Sequence, residues 1–293
     1  MINKTGQEGT RRRRKEKLIR YAFLCIASAS IATLALIVFF LFNEGLPIFK
    51  TVSIKDFLLG IYWYPTDDSP EFGIFPLIVA SVSVTALSSS IAIPLGVLTA
   101  LYLSEVASAR LREWIKPVVE LLAALPSVVI GFFGMVIVAP FLQEMFDLPT
   151  GLNLLNASLM LAFMSIPTIC SISEDAIFSV PQELKEASLA LGATHWETIH
   201  RVIIPSSISG ICTAVILGMS RAMGETMVVL MVAGGAAMIP RSIVDPVRPM
   251  PASIAAEMAE APFRGEHYYA LFATGIILFI MTLIFNIIAD YLS

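Results

Sequence analysis

The chain has 293 residues, of which 57% are hydrophobic and 14% charged, with a formal net charge of −4. A soluble domain is about 25% charged, so this deficit, with a mean hydropathy of +0.81, excludes the soluble globular class and selects the membrane class. The sequence carries no G-x-x-x-x-G-K-[ST] loop to cradle ATP phosphates, no H-E-x-x-H and no C-x-x-C.

Residues 1–20 are basic, with Lys4, Arg11 to Arg14, Lys15, Lys17 and Arg20. Tyr21 to Asn43 then runs without an acid or base. That run exceeds the apolar core of a signal peptide, about 7–15 residues, so it predicts an uncleaved first transmembrane helix behind a basic tail. The tail suits orientation and anionic membrane lipid better than nucleic acid. Residues 44–71 form a polar outer loop in which Tyr62, Trp63 and Tyr64 suit the membrane–water boundary. Phe72 to Ser104 has no Asp, Glu, Lys or Arg. It predicts one long span, with Pro76 and Pro94 marking a kink or turn. Its six hydroxyls (Ser81, Ser83, Thr85, Ser88, Ser89, Ser90) suit close helix packing.

The third span is predicted over 117–142, with Glu120 near its start as an interfacial or structural carboxylate. The fourth covers 152–173. A charged loop, 181–205, separates it from the fifth, which starts near Ser206. A Pro-rich loop over 241–266 leads to the sixth span, 268–289. The whole reads as an all-α integral membrane protein of six transmembrane helices, five of them in a core from 72 to 293. Six spans put both termini on one side. Thirteen of the 19 Lys and Arg lie on that side and five opposite, so the positive-inside rule makes the termini and the 181–205 loop cytoplasmic. Cys25, Cys170 and Cys212 fall in apolar spans and read as small buried side chains. His195, His200 and His267 have no metal-ligand spacing.

Within the loop, Leu184, Ala187, Ser188 and Leu191 recur at helical spacing and make one slim apolar face. Gly192 follows where a helix favours a left-handed terminator. Thr194 and Glu197 then match a capping box, which predicts a second short helix. Trp196, Ile199 and Ile203 would line one side of it and Pro205 would close it. On periodicity alone this is an interfacial helical loop. In the fifth span, Arg221 and Glu225 lie four apart, which places them on one helix face. A charge in hydrocarbon costs at least about 2.5 kcal/mol. The pair is therefore either a structural ion pair between helices or a contact for a charged solute. In the second reading the Arg221 guanidinium meets a tetrahedral oxyanion, and Glu225 holds Arg221 when the site is empty.

The order Glu186-Ala187-Ser188, three residues, Gly192, nine residues, Val202-x-Ile204-Pro205 resembles the EAA loop of ABC importer permeases, whose pattern ends I-x-L-P. Ser stands for the second Ala, Val for Ile and Ile for Leu. SRAMGETMVVLMVAGG at 220–235 and ELLAALPSVVIGFFG at 120–134 resemble the PstC/PstA family of phosphate importer permeases. So do IAIPLGVLTALYLSE at 91–105, IAAEMAEA at 254–261 and the HYYALFATGIILF that follows. The likeness covers roughly residues 70–293 and favours the PstC side of the family. It implies a type I (MetI-like) importer permease with a cytoplasmic coupling helix. Glu186, Ala187 and Gly192 would dock on an ATPase, and Arg221 and Glu225 would lie on the substrate path. The implied partners are a PstA-like second permease, two PstB-like ATPase subunits that hold ATP–Mg, and an extracytoplasmic PstS-like phosphate-binding protein. This chain would need no cofactor and carry out no covalent chemistry. The same residues leave open another oxyanion, such as sulfate or molybdate, a phosphate-sensing subunit, and an ion-driven transporter.

Overall fold

The computed structural model describes residues 4–292, and of their side chains those from 16 onward apart from Leu18, Ala289 and Leu292. Helix α1 (Lys4–Gly45) runs through the basic segment into the first span. A short 3-10 turn (Leu46–Lys50) leads to α2 (Ile54–Leu59), whose first turn is capped by Ser53. A two-residue hairpin follows, β1 (Trp63–Tyr64) antiparallel to β2 (Glu71–Phe72), with Trp63 opposite Phe72. The second span, α3 (Phe75–Leu101), is a single helix extended by a π turn (Tyr102–Val106). It starts later than the apolar run suggests, because Phe72 is taken into the hairpin.

The predicted third span divides. Residues 109–123 form a separate helix, α4 (Ala109–Ala123), capped by Ser108. The span proper is α5 (Ser127–Phe133), a π turn (Gly134–Val138) and α6 (Ala139–Phe146). Pro126 causes the break, since proline disfavours helical backbone in the residue before it. Glu120 is thus exposed on α4 and lies outside the span. Helix α4 is amphipathic: Ile115 and Val119 pack inward, whereas Trp114 and Leu121 are exposed.

Next comes α7 (Leu154–Phe178), N-capped by Asn153. The charged segment holds α8 (Gln182–Ala190), α9 (His195–Thr198) and a π turn (Ile199–Ile203), which runs on into α10 (Ile204–Met223). Helices α11 (Met227–Val232), α12 (Met250–Glu257) and α13 (Glu266–Leu292) complete the chain. Among the described residues, six helical stretches are long and apolar enough to cross a membrane.

The bundle is built around α7. Gly96 of α3 and Gly218 of α10 press on the same side chain, Ile169. A Cβ added to Gly96 would come within 2.9 Å of Ile169, and one on Gly218 within 2.5 Å. Small residues let helix backbones approach where lipid offers no hydrophobic drive to pack. The hydroxyls of α3 serve the same end. Ser81 and Ser88 are buried and bond back to their own helix, at 2.9 and 3.0 Å. Helix α1 joins the bundle through its last turns, where Phe40 meets Phe272 edge-on at 5.6 Å; Cys25, contrary to expectation, is exposed on it, while Cys170 is buried.

Alternation of the spans sorts the connections to two ends. One end, here the cap, carries the hairpin, the 147–153 turn and the long segment 233–265. The other, the lever end, carries α4, α8 and α9.

Candidate functional site

At the lever end the local chemistry of 181–205 decides its shape. Helix α8 ends where Gly192 takes φ +86°, a left-handed conformation that costs other residues about 1–2 kcal/mol. Nothing lies within 4 Å of a Cβ placed on Gly192, so the glycine is required by the turn alone. The capping box forms in full: the Glu197 N–H donates to Thr194 Oγ1 at 3.2 Å, and the Thr194 N–H donates to Glu197 Oε2 at 2.9 Å. Pro205 does not close this second helix. The Ile204 N–H bonds to the Ile199 carbonyl, five residues back, and this wider turn carries the helix into α10 with Pro205 in its first turn. Only part of the predicted apolar side packs inward. Ile199 and Ile203 are buried, but Trp196 is 67% exposed.

No residue of α8 is buried. Glu186, Ala187 and Gly192 lie exposed beside Leu184 and a Leu191 that is 90% exposed. Of the predicted face, only Ser188 turns inward, its hydroxyl 2.9 Å from that of Thr198. Lys185 also turns inward, with Nζ 2.6 Å from Glu105 Oε1 at the end of α3. The lever therefore clings to the bundle by a few polar contacts and presents its apolar side chains outward.

Arg221 and Glu225 are not the facing pair that a continuous helix would make. Helix α10 ends at Met223, and Gly224 caps it. Arg221 sits exposed in the last turn, and one of its terminal nitrogens reaches Thr168 Oγ1 of α7 at 3.5 Å. Glu225 Oε1 instead accepts from the Met227 and Val228 N–H groups, at 3.1 and 3.4 Å, and caps α11. Each charge complements the backbone dipoles at its own helix end. Among the described residues, the other Arg221 donors meet no protein acceptor, so the guanidinium fork is open to a bidentate ligand.

Sequence reasoning did not find the polar centre of the cap. Glu257 Oε2 lies 2.8 Å from His267 Nε2, and both its oxygens accept from Trp63 Nε1, at 3.1 and 3.0 Å. Its other partners are Arg248, in an ion pair, and the Ser253 hydroxyl at 3.2 Å. Trp63 is 3% exposed inside the protein, whereas its neighbours Tyr62 and Tyr64 are exposed; the expected boundary position therefore does not hold for Trp63. Trp63 and Glu257 are 194 positions apart, and no local pattern announces such a contact.

Residues 92–293 match the family described as "Binding-protein-dependent transport system inner membrane component". The chain is 38% identical to the probable ABC transporter permease protein YqgH of Bacillus subtilis (strain 168), over 96% of this chain and 90% of that one. It is 38% identical to the phosphate transport system permease protein PstC of Mesorhizobium japonicum, over 80% of this chain and 77% of that one. PstC of Haemophilus influenzae is 33% identical, over 86% and 87%. In architecture the chain resembles a bacterial alginate ABC transporter (TM-score 0.60, 17% identity, 95% of each chain). It also resembles the MetNI methionine ABC transporter (TM-score 0.54, 21% identity, 73% of this chain and 93% of that one). The chain therefore belongs to the family of binding-protein-dependent transport system inner membrane components, and within it to the group of the PstC permeases.

Proposed function

We propose that this chain is one of the two pore-forming permeases of an ATP-driven phosphate importer in the cell membrane. The observation that carries this reading is the bare outer face of α8. Leu184, in the first turn of α8, and Leu191, just past its end, are 45% and 90% exposed, and no residue of the helix is fully buried. Such a face gains when a soluble partner covers it. With both termini and α8 cytoplasmic, that partner is an ATPase subunit, which binds ATP–Mg and receives Glu186, Ala187 and the Gly192 turn. A PstA-like permease completes the pore, and a PstS-like binding protein delivers phosphate to the cap. This chain performs no hydrolysis itself.

The cargo reading rests on the relatives named as phosphate transport permeases and on the open fork of Arg221 beside Thr168. A guanidinium and a hydroxyl suit a tetrahedral oxyanion, and Glu225 fixes the start of α11 next to them. The test is uptake of labelled phosphate by the reconstituted complex, with sulfate and molybdate as competitors. Arg221→Ala should lower uptake about ten- to a hundredfold, the loss of one or two charge-assisted bonds, while the subunits still copurify. Normal uptake in that variant would remove Arg221 from the path. Competition by sulfate as strong as by phosphate would reassign the cargo.

A further inference from the structure

Helix α8 lies under two spans, and its links to them differ in kind. Toward α10 the connection is the chain itself, through α9 and the π turn, with the Ser188–Thr198 hydroxyl contact across it. Toward α3 there is no direct chain connection, and no residue of α8 is fully buried. Instead a cavity of about 270 Å³ opens between them, lined by Ser104, Glu105, Phe178, Lys185, His195 and Thr198 among others. Two contacts bridge the gap: an exposed one from His195 Nε2 of α9 to the Glu105 carbonyl at 3.2 Å, and a shielded ion pair, Lys185 Nζ to Glu105 Oε1 at 2.6 Å, with side chains only 16% and 7% exposed. The end of α3 on which it pulls is firm. Arg112 of α4 donates to the Leu103 carbonyl at 2.7 Å and also to that of Ser104.

We propose that the Lys185–Glu105 pair is the strut that carries movement of α8 to α3, so that the lever drives two spans instead of α10 alone. This rests on the reading of α8 as the part an ATPase moves. A pair shielded from water contributes little net stability but is strongly unfavourable to separate, so it holds length in tension without being needed for the fold. The consequence reaches the candidate site. Helices α3 and α10 grip Ile169 from two sides through Gly96 and Gly218, and the preceding residue, Thr168, is the contact of Arg221. If only α10 moved, Ile169 would be pushed from one side. If both move, the grip travels together and the Arg221–Thr168 distance can change as a unit.

The test uses the assembled complex with its three native cysteines replaced by alanine. Spin labels at Leu98→Cys on α3 and, separately, at Leu217→Cys on α10 are each paired with one at Ile284→Cys on α13. ATP-driven distance changes are then compared among wild type, Lys185→Ala, Lys185→Arg, Glu105→Gln and the exchanged pair Lys185→Glu with Glu105→Lys. The strut predicts that Lys185→Ala and Glu105→Gln lose the α3 change and keep the α10 change, with phosphate moved per ATP falling about tenfold, an ordinary coupling for contacting residues. Lys185→Arg and the exchanged pair should recover both. An α3 change that survives Lys185→Ala overturns the proposal. So does loss of the α10 change in the same variant, or failure of the exchanged pair to recover. If the wild-type complex shows both distance changes but moves no phosphate, the cargo reading fails and the strut stands.

Discussion

The two ends of the bundle handle polar side chains in opposite ways. At the cap, Glu257 gathers Trp63, Arg248, Ser253 and His267 into one partly buried centre. It thereby ties the hairpin, the 233–249 segment, α12 and the first turn of α13 together. The same end is stitched by backbone bonds, with the Leu154 N–H on the Asp245 carbonyl at 3.0 Å and the Val247 N–H on that of Ala233 at 2.8 Å. At the lever end, no residue of α8 is fully buried, and Leu184, Leu189 and Leu191 stay 45%, 47% and 90% exposed. The contrast separates a surface whose shape is set from within from one that needs a partner to complete it.

The sharpest way to break the contrast is to empty the cap's centre. Glu257→Ala would leave the Arg248 guanidinium, the His267 ring and the Trp63 N–H partly buried without their shared acceptor. Separating a buried pair by removing one partner costs about 3–5 kcal/mol, so the purified chain should melt markedly earlier in detergent. Glu257→Gln keeps an acceptor oxygen but loses the charge, and should fall between. If Glu257→Ala melts like wild type, the cap is not held from within and the contrast fails.

Gly192→Leu comes second in size. At φ +86° a side chain costs about 1–2 kcal/mol of backbone strain, yet open space surrounds the site. The strain should therefore be relieved by tilting α8 rather than by unfolding the bundle. Melting should shift slightly, while substrate-stimulated ATP hydrolysis in the complex should fall. Full stimulation in this variant would mean that the angle of the lever is irrelevant.

What the sequence disclosed, and what it hid, follows the same division. Apolar runs announced six spans, because length and charge alone decide whether a segment can cross lipid. Gly192 and the Thr194–Glu197 box were legible because caps are local chemistry within four residues. The start of the third span was misplaced because counting apolar residues from 117 ignores which side of a helix they occupy. Ile115 and Val119 line one face of α4, whereas Pro126 marks the true boundary. The Arg221–Glu225 spacing assumed an unbroken helix, but Gly224 ends it between them. The wide turn at 199–203 was likewise hidden, since a period of 3.6 gives no sign of an added residue, and Pro205 therefore opens α10 where a stop is expected. The Glu257 centre lay beyond reach for a different reason: its donors come from four segments, and only the tertiary fold makes them neighbours.

The smallest effect on the fold should come from the most conspicuous side chain. Leu191 is 90% exposed at the end of α8, so Leu191→Ser removes no internal packing, and surface changes of this kind stay within about 0.5 kcal/mol. A chain that owed its outward leucines to lipid would keep full copurification of the ATPase in this variant. A chain that owed them to an ATPase would stay inserted, melt unchanged, and lose copurification of that subunit. Full burial of one leucine side chain is worth about 1.5–3 kcal/mol, which converts to roughly ten- to a hundredfold in affinity. The pair of measurements, melting of the isolated chain and capture of the ATPase, therefore separates a lever that is merely exposed from one whose exposed face is the contact.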